Sequence, residues 1–387
     1  MPAPARLAAG APLDATVGIT ADRQWQHRRG YENFVGATLG VRGRLRRDQH
    51  DVVDNLDGYA QLDWRPAPRL GLLVGLRSTR VRFDSDDDYV APGNPDDSGR
   101  RAFSAISPVA GLDWQAGDHV SAYVAYGHGF ETPTFDELAY RSDGSAGLNL
   151  ALDPSRTRSI EAGLRSRGDA ALHWQLAAFR ADTGDELVVA TNAGGRSAFQ
   201  NAGHARRSGL ELSLDGTRGA HWSWQAAATL LDARYQDEFL TCAGAPCPTP
   251  TVPVAAGTVL PGVPRQQGFA ATTWQGGDGW TATVSAQAVS RVAVANTSDA
   301  SAPGYGTVDF ELGRRWRLGG GDAGSGSAAP TLVATLRLAN AFDRHAVGSV
   351  IVNEANGRFF EPAPGRTLLF VAELRTSQLP ADALRPF

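Results

Sequence analysis

No lysine occurs in this 387-residue chain, and all 37 basic residues are arginine. That bias follows composition and carries no functional weight by itself. A surplus of one charge sign is also lacking: the formal net charge is −4, so nothing draws the chain to nucleic acid. No run of about 18 apolar residues exists, which excludes a transmembrane helix. It does not exclude a membrane barrel, whose strands alternate and whose averaged hydropathy looks soluble. Cysteine is nearly absent. Cys242 and Cys247 stand in Cys-Ala-Gly-Ala-Pro-Cys within a proline-rich stretch. Their closeness favours a small disulfide clasp in an oxidising compartment over two free thiols. With no His or further Cys nearby, no metal site is expected there. No phosphate loop, Gly-x-Ser-x-Gly elbow or zinc motif is present, so no catalytic residue and no cofactor are assigned. The N-terminus, Met1-Pro2-Ala3-Pro4-Ala5-Arg6-Leu7-Ala8-Ala9-Gly10, has no basic segment followed by an apolar core. The chain is then either cytosolic or begins inside a longer gene.

What is present is a period of two. Trp222, Trp224, Ala226, Ala228 and Leu230 alternate with Ser223, Gln225, Ala227 and Thr229. Similar alternation runs through 280–288, 172–178 and 332–338. Successive strand residues point to opposite faces, so each segment has one apolar and one polar face. The segments reach about ten residues or more, the length a tilted strand needs to cross a bilayer. Trp64, Trp114, Trp174, Trp222, Trp280 and Trp316 lie at segment ends, where indoles would form an interfacial girdle.

About fifteen strands are expected, starting near Leu13, Asn33, Asn55, Arg69, Ser104, His119, Thr157, Ala170, Ala198, Gly219, Arg265, Gly279, Gly304, Thr331 and Arg366. From the third strand on, their connections alternate short and long. Short ones include Pro66-Ala67-Pro68, Arg167-Gly168-Asp169 and Gly276-Gly277-Asp278; long ones include 129–156, 234–264 and 343–365. The Gly/Ser-rich 319–329 is long where a short one is due. Short periplasmic turns and longer extracellular loops are the outer-membrane barrel pattern.

Several segments resemble TonB-dependent outer-membrane receptors. These are Gly129-Phe130-Glu131-Thr132-Pro133-Thr134-Phe135-Asp136-Glu137-Leu138, Asn201 with Arg207-Ser208-Gly209-Leu210-Glu211, Asn340-Ala341-Phe342-Asp343, and Pro364-Gly365-Arg366. The resemblance implies an all-β fold: a transmembrane, antiparallel up-and-down β-barrel, here about 15 strands of a barrel of about 22, with long loops outside. It implies residues 1–12 as a disordered stretch, 13–375 as partial barrel and 376–387 as a tail. Neither a plug domain nor a TonB box is recognisable. Implied partners are outer-membrane lipid, lipopolysaccharide, the barrel assembly machinery, a small-molecule ligand, and TonB through a plug. A narrower resemblance, over 129–144 and 347–358, is to enterobacterial receptors for pyrroloquinoline quinone; the cysteine pair fits it too. Ferric siderophores are the other expected ligand class.

Uptake requires no bond chemistry, so the expected site is a binding site. Arg141, Arg196, Arg291 and Arg358 lie in or beside long loops. They are candidates for pairing with ligand carboxylates, set against solvated charge or contact with lipopolysaccharide phosphates. His128, Tyr140, His345 and Phe359 are candidates for stacking on a planar ligand, set against loop packing. Asp84, Asp86, Asp87 and Asp88 lack calcium-loop spacing and read as a solvated loop. Asp136 and Glu137 read as no catalytic pair. Glu211, Asp309, Glu311, Arg337 and Glu373 should face a lumen. A non-transporting surface barrel, such as an adhesin or phage-binding structure, and a soluble all-β carbohydrate-binding protein are the competing readings.

Overall fold

The computed structural model describes residues 5–6, 12–145, 147–168, 171–318 and 330–376. One antiparallel sheet dominates them, its strands hydrogen-bonded in chain order. They are β1 (Ala5–Arg6), β2 (Pro12–Tyr31), β3 (Leu45–Ala67), β4 (Leu70–Asp87) and β5 (Gly99–Gln115). Then follow β6 (Val120–Glu131), β7 (Ser155–Ser166), β8 (Leu172–Gly184), β9 (Ala205–Arg218) and β10 (Trp222–Tyr235). The last are β11 (Gln266–Gln275), β12 (Trp280–Val289), β13 (Tyr305–Arg317), β14 (Thr331–Ala339) and β15 (Thr367–Arg375). β1 and β15 are the ends of this fifteen-stranded sheet. It is an up-and-down barrel wall, as the alternation of turns leads one to expect.

Pairing fixes the faces. Leu212 opposes Ala228, Ala228 opposes Gly268, and Gly268 opposes Ala288. Followed this way, even-numbered residues share one face from β3 to β15, with odd-numbered residues of β2 joining them through pairs such as Val17↔Ala60. Val17, Ile19, Leu62, Val74, Leu76, Leu112, Leu164, Leu176, Leu212, Phe310, Leu336 and Phe370 are exposed on that face. A continuous exposed apolar band is the surface that lipid covers. Trp64, Trp114, Trp174, Trp222, Trp280 and Trp316 all belong to this face, the first five close to a short turn and Trp316 at the end of β13 on the same side. They form one girdle at one rim.

The opposite face is polar and internally paired. Asp57 accepts from Arg77, Thr79 and Asn55. Tyr123 donates to Glu161 at 2.5 Å, Arg165 meets Asp113, and Arg337 meets Asp309 at 2.6 Å. Every one of these residues is odd-numbered, as a lumen-facing network requires. Glu211, Glu311 and Glu373 share that parity.

Most buried apolar residues sit in the long-loop layer. Phe83 and Phe103, at the outer ends of β4 and β5, pack with Phe135 and Leu138 of a one-turn helix, α1 (Phe135–Leu138), and with Leu148 and Leu152. A second cluster gathers Val188, Tyr235, Val254 and Leu260. The loops thus form a cap with its own core.

Three expectations need correcting. No strand of the sheet starts at Asn33. Phe34–Val35 and Thr38–Leu39 make a tight hairpin with left-handed Gly36 and Gly40 (φ 57° and 76°), and β3 starts earlier, at Leu45. Alternation of turns therefore runs from β2 onward. Likewise, the run from Ala198 belongs to a loop hairpin, Leu187–Ala193 against Arg196–Asn201; left-handed Gly203 then makes a corner before β9. Asp84, Asp86 and Asp87 lie in β4, not in a loop. Ala5–Arg6 pairs with Pro12–Leu13 and so begins the sheet beside β2. The 319–329 connection, Asp169, and 377–387 of the tail lie outside the described residues.

Candidate functional site: an arginine-lined cavity in the loop cap

β2 and β3 are 20 and 23 residues long, about twice what a bilayer crossing needs. Their outer halves therefore stand above the apolar band. There they border a cavity of about 830 Å³, closed by the loops around 89–97, 140–147, 191–198 and 245–246. That volume is within the usual range for small-ligand sites. Arg28, Arg29, Arg44, Arg46, Arg47, Arg141 and Arg196 line it, against Glu32, Asp87 and Asp97. Arg29 and Arg46 have outward parity, Arg29 being held by Asp48, and Arg44 is paired with Glu32, so Arg28, Arg47, Arg141 and Arg196 are the guanidinium groups that leave the lining positive.

Each key side chain has a local reason for its place. Leu138 is fully buried and anchors α1, which Thr134 and Glu137 cap reciprocally: Thr134 N donates to Glu137 Oε2 at 2.7 Å, and Glu137 N to Thr134 Oγ1 at 3.3 Å. The chain leaving α1 delivers Tyr140 and Arg141. Arg47, on the inward face of β3, donates through Nη2 to Ala139 O at 3.0 Å. Its guanidinium also lies 5.3 Å from the Tyr140 ring centre. Arg196 approaches the same ring at 5.4 Å. It follows Gly194 and Gly195, whose left-handed φ values (59° and 75°) make the hairpin turn that projects it. Tyr140 thus carries two cations on its ring.

Two polar atoms at this cavity are buried without a hydrogen-bond partner among the described residues: Arg28 Nη1 and Thr191 Oγ1. A buried donor left unmade costs about 1–3 kcal/mol. Burial, with the neighbouring Asp87 carboxylate, pushes the Asp97 carboxyl above its ordinary range. Asp143 is held below it by the Ser145 hydroxyl and backbone amide. The Cys242–Cys247 disulfide forms, and Cys247 N donates to Ser142 O at 2.7 Å. That bond ties the clasp, with Pro246 at the cavity edge, to the Arg141 loop.

Of the eight sequence-designated ligand residues, Tyr140, Arg141 and Arg196 come together here. The other five do not. His128 has outward parity and meets Tyr126, whose hydroxyl lies 2.7 Å from its Nε2; it cannot reach the lumen. Phe359 packs on Phe360, and Arg358 N is taken by Glu354. Arg291 and His345 are exposed in other loops. Arg28 and Arg47 were missed because they lie inside strands. The signal that unites them is cross-strand register: Arg28 opposes Gln49 and Gly30 opposes Arg47.

The motif residues turn out to be fasteners. Asn201 donates to Asp153 O and Asp185 O, both at 2.9 Å, and accepts from Asp153 N. Asn340 bridges Arg344 and Pro364, and Asp343 accepts from Arg366 N at 2.9 Å, with Gly365 against it. A Cβ on Gly209 would meet Leu230 O at 2.3 Å. Pro133 is fully buried, Phe130 packs at the Phe83 cluster, and Phe342 is exposed. Gly129 faces Thr157 across the ladder.

The family described as "TonB dependent receptor-like, beta-barrel" matches residues 5–340. The chain belongs to this family. Among solved structures it is similar to the siderophore receptor PiuA from Acinetobacter baumannii, with 16% identity and a TM-score of 0.76 over 95% of this chain and 54% of that one. The copper transporter OprC gives 19% identity and a TM-score of 0.67, over 95% and 54%. The ferric citrate transporter FecA gives 15% and 0.68, over 94% and 51%. The chain thus spans about half the length of these proteins, and at such identities the likeness shows the fold.

Proposed function

We propose that this chain is the barrel wall and loop cap of an outer-membrane, TonB-dependent uptake receptor that captures a small anionic ligand. The observation that carries this reading is the arginine cavity, with Arg47 and Arg196 around Tyr140 and Arg28 on the same lining. Guanidinium groups pair with carboxylates in a bidentate way, and an aromatic ring adds a stacking surface. A flat polycarboxylate such as pyrroloquinoline quinone suits that chemistry. Ferric siderophores built on carboxylates suit its charge. Uptake itself involves no covalent step: the ligand binds in the cap and passes inward along the polar lumen when a TonB-coupled plug moves.

The test is titration of the detergent-extracted chain with pyrroloquinoline quinone and with ferric citrate. Saturable binding of either, weakened by R28A and R47A, is expected. Failure of the quinone alone removes the narrow ligand; failure of both removes the anion reading. The protein should fractionate with the outer membrane and change gel mobility on heating. Extraction without detergent would refute the membrane assignment.

A further inference from the structure

The outer ends of β2 and β3 carry a second group of side chains, on the face turned away from the cavity. His27 and His50 are direct cross-strand partners. Their rings stack at 4.1 Å with an interplanar angle of 14°. Each imidazole has its own carboxylate. His27 Nε2 lies 2.5 Å from Asp48 Oδ1, and His50 Nδ1 lies 2.5 Å from Asp88 Oδ2. His27, His50 and Asp88 each present one donor atom, all within 4.8 Å of one another. Below them, past the exposed Trp25, Arg23 faces Asp54 at 3.4 Å, so charged groups already stand on this face beneath the histidines. The group therefore stands above lipid, in reach of water.

We propose that His27, His50 and Asp88 form a site for a divalent transition metal, with Asp48 as the carboxylate that orients His27. Two imidazoles and one carboxylate suit zinc or copper, whereas calcium and magnesium require oxygen sets. Metal–nitrogen bonds of about 2.0–2.1 Å require the donors to draw in by roughly an ångström. His50 and Asp88 are about half exposed and can turn. Asp48 on the remaining nitrogen of His27 is the carboxylate–imidazole support typical of metal-bound histidine, and Arg29 holds Asp48 in turn at 3.1 Å. Because an imidazole donates in its own ring plane, the stacked rings must tilt toward one another, and the short His50–Asp88 contact gives way to the metal.

The site shares its strands with the cavity. His27 adjoins Arg28 and Asp48 adjoins Arg47, on opposite faces of the same two strands. A metal outside would therefore pin the strand ends that hold the anion-binding arginines inside. That coupling rests on the proposed anion capture; metal binding does not.

Equilibrium dialysis of the detergent-extracted chain against Zn²⁺, with Ca²⁺ as competitor, tests it. One Zn²⁺ per chain is expected, undisturbed by excess Ca²⁺. H27A and H50A should abolish it, and D48N should weaken it roughly 10- to 100-fold. H204A, at an exposed His–Asp pair elsewhere, should leave it unchanged. Binding that survives H27A and H50A, or falls equally with H204A, overturns the proposal. Should the variants fail to assemble, carbethoxylation of the unaltered chain decides: Zn²⁺ must protect His27 and His50 and not His204. Loss of Zn²⁺ binding with anion capture intact would separate this site from the cavity.

Discussion

Replacing Arg28 by alanine should weaken anion capture more than any other single arginine change in the cap. The expectation follows from what each guanidinium already does. Arg28 Nη1 is buried and unpartnered among the described residues, so a ligand oxygen that reaches it as neighbouring side chains shift gains a bond no protein group already makes. A hydrogen bond to a charged group in such a place contributes about 1.5–3 kcal/mol, equivalent to roughly 10- to 150-fold in Kd. Arg47 follows closely, part of its donor capacity being spent on Ala139 O. Arg141 is different: it is exposed and lies 3.6 Å from Asp143. Exposed ion pairs contribute at most about 1 kcal/mol, so R141A should change Kd less than about fivefold. Arg44 is bound to Glu32 at 2.8 Å and is largely exposed, and its loss should be silent. The assay is calorimetric or fluorescence titration of each variant with pyrroloquinoline quinone or ferric citrate, whichever binds, with heat-modifiable mobility as the folding check. If R28A binds within twofold of the unaltered chain, or R44A and R141A lose as much as R28A, then net charge alone governs capture and the cavity geometry is irrelevant.

Three other outcomes are expected. Asp97 holds its proton more tightly in the folded cap than in an unfolded chain, so its stabilising contribution is complete below the ordinary carboxylate range and is lost as pH rises through its raised value; anion affinity should fall over the same interval, and D97N should flatten both curves in a pH series of titrations and thermal melts. Removing the Cys242–Cys247 link, which closes a five-residue separation, should loosen the cap by about 2 kcal/mol, read as faster protease cleavage near 240–250 with the barrel strands still protected. Leu336→Arg, on the apolar face, should oppose membrane assembly by about 2–4 kcal/mol, while Gln287→Arg, on the lumen face, should be tolerated; the reverse result on unheated gels would show that the faces are assigned backwards.

The wall was legible because its rule is local. A strand's faces alternate with every residue, so Trp222 to Leu230 declared their apolar side without knowledge of any neighbour. Turn lengths added the rest. Where a glycine interrupts alternation the rule misleads: Phe34, Val35 and Leu39 look like the start of a strand, yet Gly36 and Gly40 fold them back on themselves, with Gly40 N donating to Asn33 O at 2.8 Å. The cavity was half legible. Tyr140, Arg141 and Arg196 stood out as loop residues beside suggestive motifs. Arg28 and Arg47 looked like ordinary strand positions, since nothing in the sequence states that β2 and β3 continue far above the lipid or that their register sets the two arginines on one wall. Asn296 was missed for a similar reason. It receives the Tyr235 hydroxyl and donates to Val189 O and Thr241 Oγ1, joining loops remote in sequence.

The residues that carry the sequence resemblance and the residues that line the cavity form nearly separate sets, and physics gives a reason. Asn201, Asn340 and Asp343 satisfy backbone groups where strands leave the wall and loops begin, and Gly209 permits a close approach that any Cβ would block. Such tasks are the same whatever the barrel carries, because they depend on backbone geometry alone. The cavity's tasks depend on ligand charge and shape, and they fall to side chains such as Arg28, Arg47 and Arg196, which the frame leaves free to differ. Motifs of this kind can therefore identify the receptor frame without naming its cargo. The cargo has to be read from which guanidinium groups at the cavity remain unpaired, and there, among the described residues, Arg28 has a buried donor without a partner.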